Sequence, residues 1–214
     1  MNLGELETRC RNTTQDTAAK KLWSRDEFAE YLNEAATEIA IRSLCIEDDT
    51  IEIAATAGEA KVACPEHVYR IQRATFGTRR LLLADRAMLD QLEGEGWEEL
   101  TGDPIAIYEV GGDLRLYPIP TVDSTVKLVA FCTPQQAMAE DDDDPQGIPV
   151  RMHPYLIDWA LHLAYSKQDA DTFDTKQADR YEGRFDARFG PRRDERAGRP
   201  SRINVRRRAQ GHYF

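Results

Sequence analysis

The residues best suited to catalysis in this sequence are its histidines, and their surroundings do not indicate an active site. Catalysis needs a nucleophile beside a base, paired carboxylates in an apolar setting, or a cluster of metal ligands. His153 stands at a predicted helix start, and His162 lies three residues from both Trp159 and Tyr165. A histidine on such a helical face is more often a packing residue than a catalyst. The sequence therefore predicts no catalytic residues, no cofactor and a protein that is not an enzyme.

Two further segments have the composition of ligand sites. The acidic run at 140–144 lacks the spacing and the distal glutamate of a calcium loop, so we interpret it as a solvated loop that does not pack. Gly111-Gly112-Asp113 has the glycines of a phosphate-binding loop, but it joins two alternating strands and leads into no helix. A hairpin turn is the better interpretation.

The cysteines predict neither a zinc site nor a disulfide framework. They lie far apart along the chain and form no C-x-x-C pair. We expect four free thiols, mostly in the core, and no bound metal. The four residues are Cys10, Cys45, Cys64 and Cys132.

The strongest chemical signal is the charge of the C-terminal segment. Arg188 to Phe214 contain nine arginines against two acidic residues, so the net charge of −10 combines +7 in this segment with −17 in the rest. After Gly190 the chain is too poor in apolar residues to fold alone, and we expect an extended arm that becomes ordered only against a partner. A basic arm on an acidic body favours an acidic partner surface, which either nucleic acid or another protein provides.

The sequence leaves three interpretations of the arm open. We rank docking on another protein first, contact with DNA phosphates second and an arm without a partner third. Tyr213 and Phe214 suit a pocket, while Ile203 and Val205 alternate as in an added strand. Arginines would bind DNA without sequence specificity. The predicted docking residues are Arg192, Arg193, Arg196, Arg199, Arg202, Ile203, Val205, Arg206, Arg207, Arg208, Tyr213 and Phe214.

Helical periodicity occurs at both ends of the body. Ser24 and Glu27 have the spacing of a capping box, which predicts a helix with its apolar stripe towards the core and Glu38 towards water. Between the helices the period changes to two residues. Segments 50–53 and 60–63 predict one hairpin, and 105–110 with 114–117 predict another.

These elements give an α+β fold, an α-helical bundle with an inserted small antiparallel β domain and an extended C-terminal arm. The expected divisions are 1–49 (N-terminal helices), 50–134 (β-rich insertion), 135–190 (acidic loop and C-terminal helices) and 191–214 (arm).

No apolar run approaches the ~20 residues that span a bilayer, and the N-terminus lacks a signal-peptide pattern. We therefore expect a soluble protein that is made in the cytoplasm and has no membrane partner.

The order of several short motifs resembles the head-to-tail adaptor family of tailed bacteriophages. The resemblance covers nearly the whole body, and the order of the motifs is more specific than any one of them. The motifs are the helix start at 23–35, Pro65-Glu66-His67-Val68, the G-D-P-x-x-x-Y element at 102–108, the L-R-L-Y-P-x-P element at 114–120 and the I-P-x-x-x-H-P element at 148–154.

This resemblance implies a structural protein of the virion neck that forms a ring, typically of twelve copies, beneath the portal protein. It also implies a downstream neck or tail protein as a partner, passage of double-stranded DNA through the ring, and docking of the arm on the portal. The subunit would be made in the host cytoplasm before assembly. The alternative is a nucleic-acid-binding protein anchored by its arginine-rich arm.

Overall fold

Helices occupy both ends of the described chain and strands fill its middle. The computed structural model describes residues 1–17, 21–169 and 171–192. The helices are α1 (Leu3–Thr14), α2 (Arg25–Ser43), α3 (Arg86–Glu93), α4 (His153–Ser166) and α5 (Thr175–Phe189). The strands are β1 (Glu47–Ala55), β2 (Lys61–Val62), β3 (Val68–Phe76), β4 (Arg79–Leu83), β5 (Thr101–Gly102), β6 (Ala106–Val110), β7 (Asp113–Tyr117), β8 (Ile119–Pro120) and β9 (Ser124–Cys132). The predicted α+β class is confirmed.

Local polar signals set the helix starts. The Ser24 hydroxyl accepts a hydrogen bond from the Glu27 N–H at 3.1 Å, and the Glu27 carboxylate accepts one from the Ser24 N–H at 2.7 Å. The predicted capping box is therefore present at the start of α2. Asp85 caps α3 in the same manner, because its carboxylate accepts from the Met88 N–H at 2.7 Å. None of the described helices combines the length and apolar character required to cross a membrane.

The main sheet has seven strands in the order β1-β9-β3-β4-β6-β7-β2, and β5 pairs separately with β8. The β4–β6 pairing is parallel, so the sheet is mixed where alternation alone predicted an antiparallel one. The predicted β6–β7 hairpin is confirmed. Its turn places Gly111 at φ 62° and Gly112 at φ 86°, a left-handed conformation that favours glycine.

The hairpin predicted from segments 50–53 and 60–63 is wrong. β1 pairs with β9, where Ile51 lies opposite Leu128, whereas β2 pairs with β7, where Val62 lies opposite Leu114. β1 and β9 are each nine residues long, so their pairing buries far more alternating apolar surface than a ladder with two-residue β2 would. Gly58 instead donates its N–H to the Pro120 carbonyl at 2.8 Å, which leads the chain away from β1.

Two main groups of buried side chains hold the body together. The helical core includes Phe28, Leu156 and Phe185, and the sheet core includes Leu128. Ile46 packs against both cores, at the point where the chain passes from α2 into β1. The helices and the sheet are therefore in direct apolar contact at this end of the sheet.

The acidic run at 140–144 packs against the start of α1, contrary to the prediction of a loop that does not pack. Leu3 donates its N–H to the Asp143 carbonyl at 2.8 Å, and Gly4 donates to the Asp141 carbonyl at 3.0 Å. The carboxylate of Asp141 remains largely exposed. The backbone of this run satisfies free N–H groups of the first helical turn, while the carboxylate of Asp143 accepts from the Ala139 and Glu140 N–H groups and that of Asp141 pairs with Arg25.

Candidate interaction site at the root of the arm

Arg42, on the last turn of α2, joins this helix to the C-terminal end of α5. Its Nε donates to Glu38 Oε1 at 2.6 Å, and its Nη1 donates to the Gly190 carbonyl at 2.6 Å. Nη1 also donates to the carboxylate of Asp186. With Arg192, which follows Gly190 closely, these residues form a group that we call the arm anchor.

The centre of the arm anchor, where Arg42 meets Glu38, is removed from water. The side chains of Arg42 and Glu38 are only 5% and 7% exposed, while that of Asp186 is 38% exposed. The Arg42 guanidinium lies 4.8 Å from the ring centre of Trp159 and 5.0 Å from that of Phe185, within cation–π range. Burial lowers the pKa of Arg42, but its hydrogen bonds to Glu38 and Asp186 outweigh burial and hold the pKa above its ordinary value.

Glu38 does not face water as the helical pattern predicted. It is buried against α5 because Arg42, four residues later on the same helix, neutralises its charge. The four-residue spacing of Glu38 and Arg42 indicates such an ion pair, but a prediction based on the spacing of apolar residues does not detect it.

The arm anchor fixes the place where the chain leaves the body. Gly190 ends α5 at φ 76° and donates its N–H to the Asp186 carbonyl at 2.8 Å. This positive φ favours glycine. Arg192 Nη1 then lies 4.0 Å from Glu38 Oε2, with its side chain 59% exposed. The root of the basic segment therefore sits on the end of α2.

Of the predicted docking residues, Arg192 is the one that the structure describes. The remaining docking residues, and the expectation that the arm orders only against a partner, lie outside the described residues and stay predictions. These residues are Arg193, Arg196, Arg199, Arg202, Ile203, Val205, Arg206, Arg207, Arg208, Tyr213 and Phe214.

The two histidines considered for catalysis have structural partners. His162 Nδ1 lies 3.1 Å from the Ala178 carbonyl oxygen, and its ring lies 4.9 Å from that of Trp159. His153 is buried, with Nε2 at 2.9 Å from the Ile148 carbonyl oxygen. These contacts place the two imidazoles in helix packing.

A cleft of about 340 Å³ between α1, α4 and α5 contains a buried carboxyl group, that of Asp158. Burial raises the pKa of Asp158, and the guanidinium of Arg184, 3.0 Å away, opposes this rise. Tyr181 also lines the cleft. The arrangement is that of an ion pair between helices, and among the described lining residues no nucleophile is paired with a base.

Three potential metal ligands come together at one end of the sheet. Asp48, His67 and Cys132 each contribute one ligand atom, and these atoms all lie within 4.8 Å of one another. They come from three distant segments, so the spacing of residues along the chain does not indicate them. Cys64 lies three residues before His67 but is not one of the three ligands, so the spacing of the cysteines gave no signal for this group.

Exposed apolar side chains lie on both faces of the sheet where β4 pairs with β6. Leu82 is 49% exposed and pairs with Ala106, so it lies on the opposite face from Ile105, which is 45% exposed. Leu83 is 40% exposed and pairs with Ile107, so it shares a face with Ile105. Neighbouring exposed apolar side chains of this kind are typical of protein contact surfaces.

Comparison with known proteins identifies the family. The chain has no match among curated proteins. The family model described as SU10 adaptor protein matches residues 1–207, which include all of the described residues and most of the arm. This match confirms the resemblance seen in the sequence motifs, and the chain belongs to the SU10 adaptor protein family of phage structural adaptors.

Proposed function

We propose that this protein is the structural head-to-tail adaptor of a tailed phage and has no enzymatic activity. It forms a ring, of twelve copies as is typical of such adaptors, beneath the portal protein in the virion neck. The ring extends the DNA channel and joins the capsid to a downstream neck or tail protein. The C-terminal arm docks on the portal, after subunits made in the host cytoplasm meet it during assembly.

The observation that carries this proposal is the arm anchor. A flexible segment that starts from a fixed point samples fewer positions than one that starts from a mobile point, so less entropy is lost when it docks. Gly190 and Arg192 are held against α2 by hydrogen bonding to Arg42 and by the charge of Glu38. The arm therefore leaves every subunit of a ring from an equivalent place.

Charge supports the same arrangement. The chain up to Ala187 carries −17, so a channel wall built from it repels DNA phosphates and lets DNA pass without sticking. The arm carries the opposite sign and complements an acidic surface on the portal. Heterologous contacts that close by rotation build a ring, and the exposed Leu83 and Ile105, on one face of the sheet, offer an apolar surface for such a contact.

The test compares full-length protein with a version truncated after Gly190, mixed with the cognate portal and examined by size-exclusion chromatography and negative-stain microscopy. We expect portal-dependent rings with the full-length protein and none with the truncated version. A matched control replaces the arm arginines by lysine, which keeps the positive charge, and a second variant replaces them by glutamate, which reverses it. Unchanged assembly of the glutamate variant would contradict docking by the arm.

The alternative, a nucleic-acid-binding protein, is favoured by the nine arginines from Arg188 onward. If most of them contact phosphates, DNA affinity falls by about 10³-fold or more between 50 and 200 mM salt. Such a fall for the full-length protein, together with failure of both versions to bind the portal, would replace the adaptor proposal by this one.

A further inference from the structure

Three chain segments meet at the end of the sheet where β1 leaves the helical body. Asp48 lies near the start of β1, His67 immediately precedes β3, and Cys132 is the last residue of β9. Strand pairing places Asp48 opposite Ala130 and Cys132 opposite Val68. The sheet register therefore brings a carboxylate, an imidazole and a thiol to one place, with ligand atoms within 4.8 Å of one another.

Backbone hydrogen bonds hold this arrangement. The Cys132 N–H donates to the Ile46 carbonyl at 2.9 Å, and the Thr133 N–H donates to the His67 carbonyl at 2.8 Å. These bonds tie the end of β9 to the segments that carry the other two side chains. Preorganised ligands are what a tight metal site requires, because little ordering is left for the ion to impose.

The Asp48 side chain is also oriented in advance. Its Oδ1 accepts hydrogen bonds from the Thr50 N–H at 2.8 Å and from the Thr50 hydroxyl at 2.7 Å. Both bonds are accepted by Oδ1, so Oδ2 is available to bind a metal ion. Such outer partners fix the geometry of carboxylates in metal sites.

The other two side chains lack adequate partners of their own. His67 Nε2 is buried without a hydrogen-bond partner, although buried polar atoms almost always have one. Cys132 is 3% exposed, and its Sγ lies 3.8 Å from the Ala130 carbonyl oxygen, a weak contact. A cation between them would satisfy both groups at once.

We propose that Asp48, His67 and Cys132 bind one zinc ion. Thiolate, imidazole and carboxylate are the ligand types that zinc takes in proteins, and a water molecule completes its tetrahedral coordination. The thiolate and the carboxylate together balance the charge of the ion, and the thiol proton is released to solvent on binding. The ion connects β1, β9 and the segment before β3 beside Ile46, so its role is structural.

The experiment uses full-length protein that has been stripped with a chelator and dialysed. Zinc is titrated in competition with a chromophoric chelator, and cobalt(II) serves as a spectroscopic probe. We expect one zinc per chain and a thiolate-to-cobalt charge-transfer band. Zinc at about 100 times its Kd is expected to raise the Tm by roughly 5–10 °C, less any binding to the unfolded chain.

Variants locate the site. Cys132→Ser and His67→Gln are expected to weaken zinc binding by at least about 100-fold, the upper end of what loss of an outer partner costs. Cys45→Ser and Asp49→Asn are the matched controls, because these residues lie outside the ligand group, and they should bind zinc as the unmodified protein does.

Two results would overturn the proposal. One is zinc affinity in Cys132→Ser equal to that of the unmodified protein, which would place the ion elsewhere. The other is absence of the charge-transfer band in the unmodified protein, a measurement that holds even if the variants fail to fold. Circular dichroism identifies such folding failures. None of these readouts depends on portal binding, so the zinc site and the adaptor function are tested separately.

Discussion

Replacement of Arg42 by alanine tests whether the arm anchor holds α2 and α5 together. The substitution removes the group that donates to Glu38, Asp186 and the Gly190 carbonyl, and it leaves the buried Glu38 carboxylate with the exposed Arg192, 4.0 Å away, as its remaining cation. Removal of one partner from a buried ion pair costs about 3–5 kcal/mol of unfolding free energy. Because Asp186 is 38% exposed and regains water, we expect the lower end, about 3 kcal/mol.

The loss is measured by urea unfolding and by thermal unfolding. For a chain of this length about 3 kcal/mol lowers the Tm by roughly 6–12 °C. Arg86→Ala is the matched control, because Arg86 pairs with Glu98 at 3.0 Å but with side chains 58% and 39% exposed. Loss of that surface pair should cost less than about 1 kcal/mol.

If Arg42→Ala is no more destabilised than Arg86→Ala, the arm anchor does not hold α2 and α5 together. Arg42→Lys makes the test more specific. Lysine keeps the charge, but its single ammonium group cannot replace the planar guanidinium. The guanidinium donates to Glu38 and Asp186 together and lies over the ring of Trp159. An Arg42→Lys variant as stable as the unmodified protein would show that charge alone matters and would remove the geometric part of the argument.

Three further predictions concern the helical body. Phe28→Ala should lose about 3–5 kcal/mol in urea unfolding, because its ring is fully buried in the helical core, and a loss below about 1 kcal/mol would contradict that burial. Ser24→Ala should cost about 1 kcal/mol through loss of the cap on α2, and Ser24→Asp, which can still accept the bond, should restore most of it. Lys167 and the Ser24 N–H hold the pKa of Glu27 below its ordinary 4.5, so this stabilisation is complete above about pH 4.5 and is lost as the pH falls further. Glu27→Gln should therefore flatten the acid limb of a stability–pH curve, and an unchanged curve would refute the link.

Features of the fold that depend on neighbouring residues were predictable from the sequence. The capping box of Ser24 and Glu27, the cap at Asp85 and the turn at Gly111-Gly112 each satisfy a backbone need within a few residues. Such caps and turns have characteristic residue patterns, so the sequence alone indicates them.

Strand partners were not predictable in the same way. β1 lies next to β2 in sequence, yet it pairs with β9, which begins about seventy residues later. Alternation shows that a segment has an apolar face but not which other apolar face covers it. The grouping of Asp48, His67 and Cys132 depends on that same pairing, so it was not visible before the register was known.

The four aspartates of the acidic run show why a composition argument can misjudge a segment. Three of the four side chains are exposed, as the sequence indicates, although the carboxylate of Asp143 accepts two backbone hydrogen bonds and that of Asp141 pairs with Arg25. The contacts of the run with α1 are instead made by its carbonyl groups, which accept from the N–H groups of Leu3 and Gly4. Every residue has such a carbonyl, so composition carries no trace of these bonds. The free N–H groups at the start of α1 need acceptors, and an acidic segment beside the positive end of a helix dipole meets that need with favourable electrostatics.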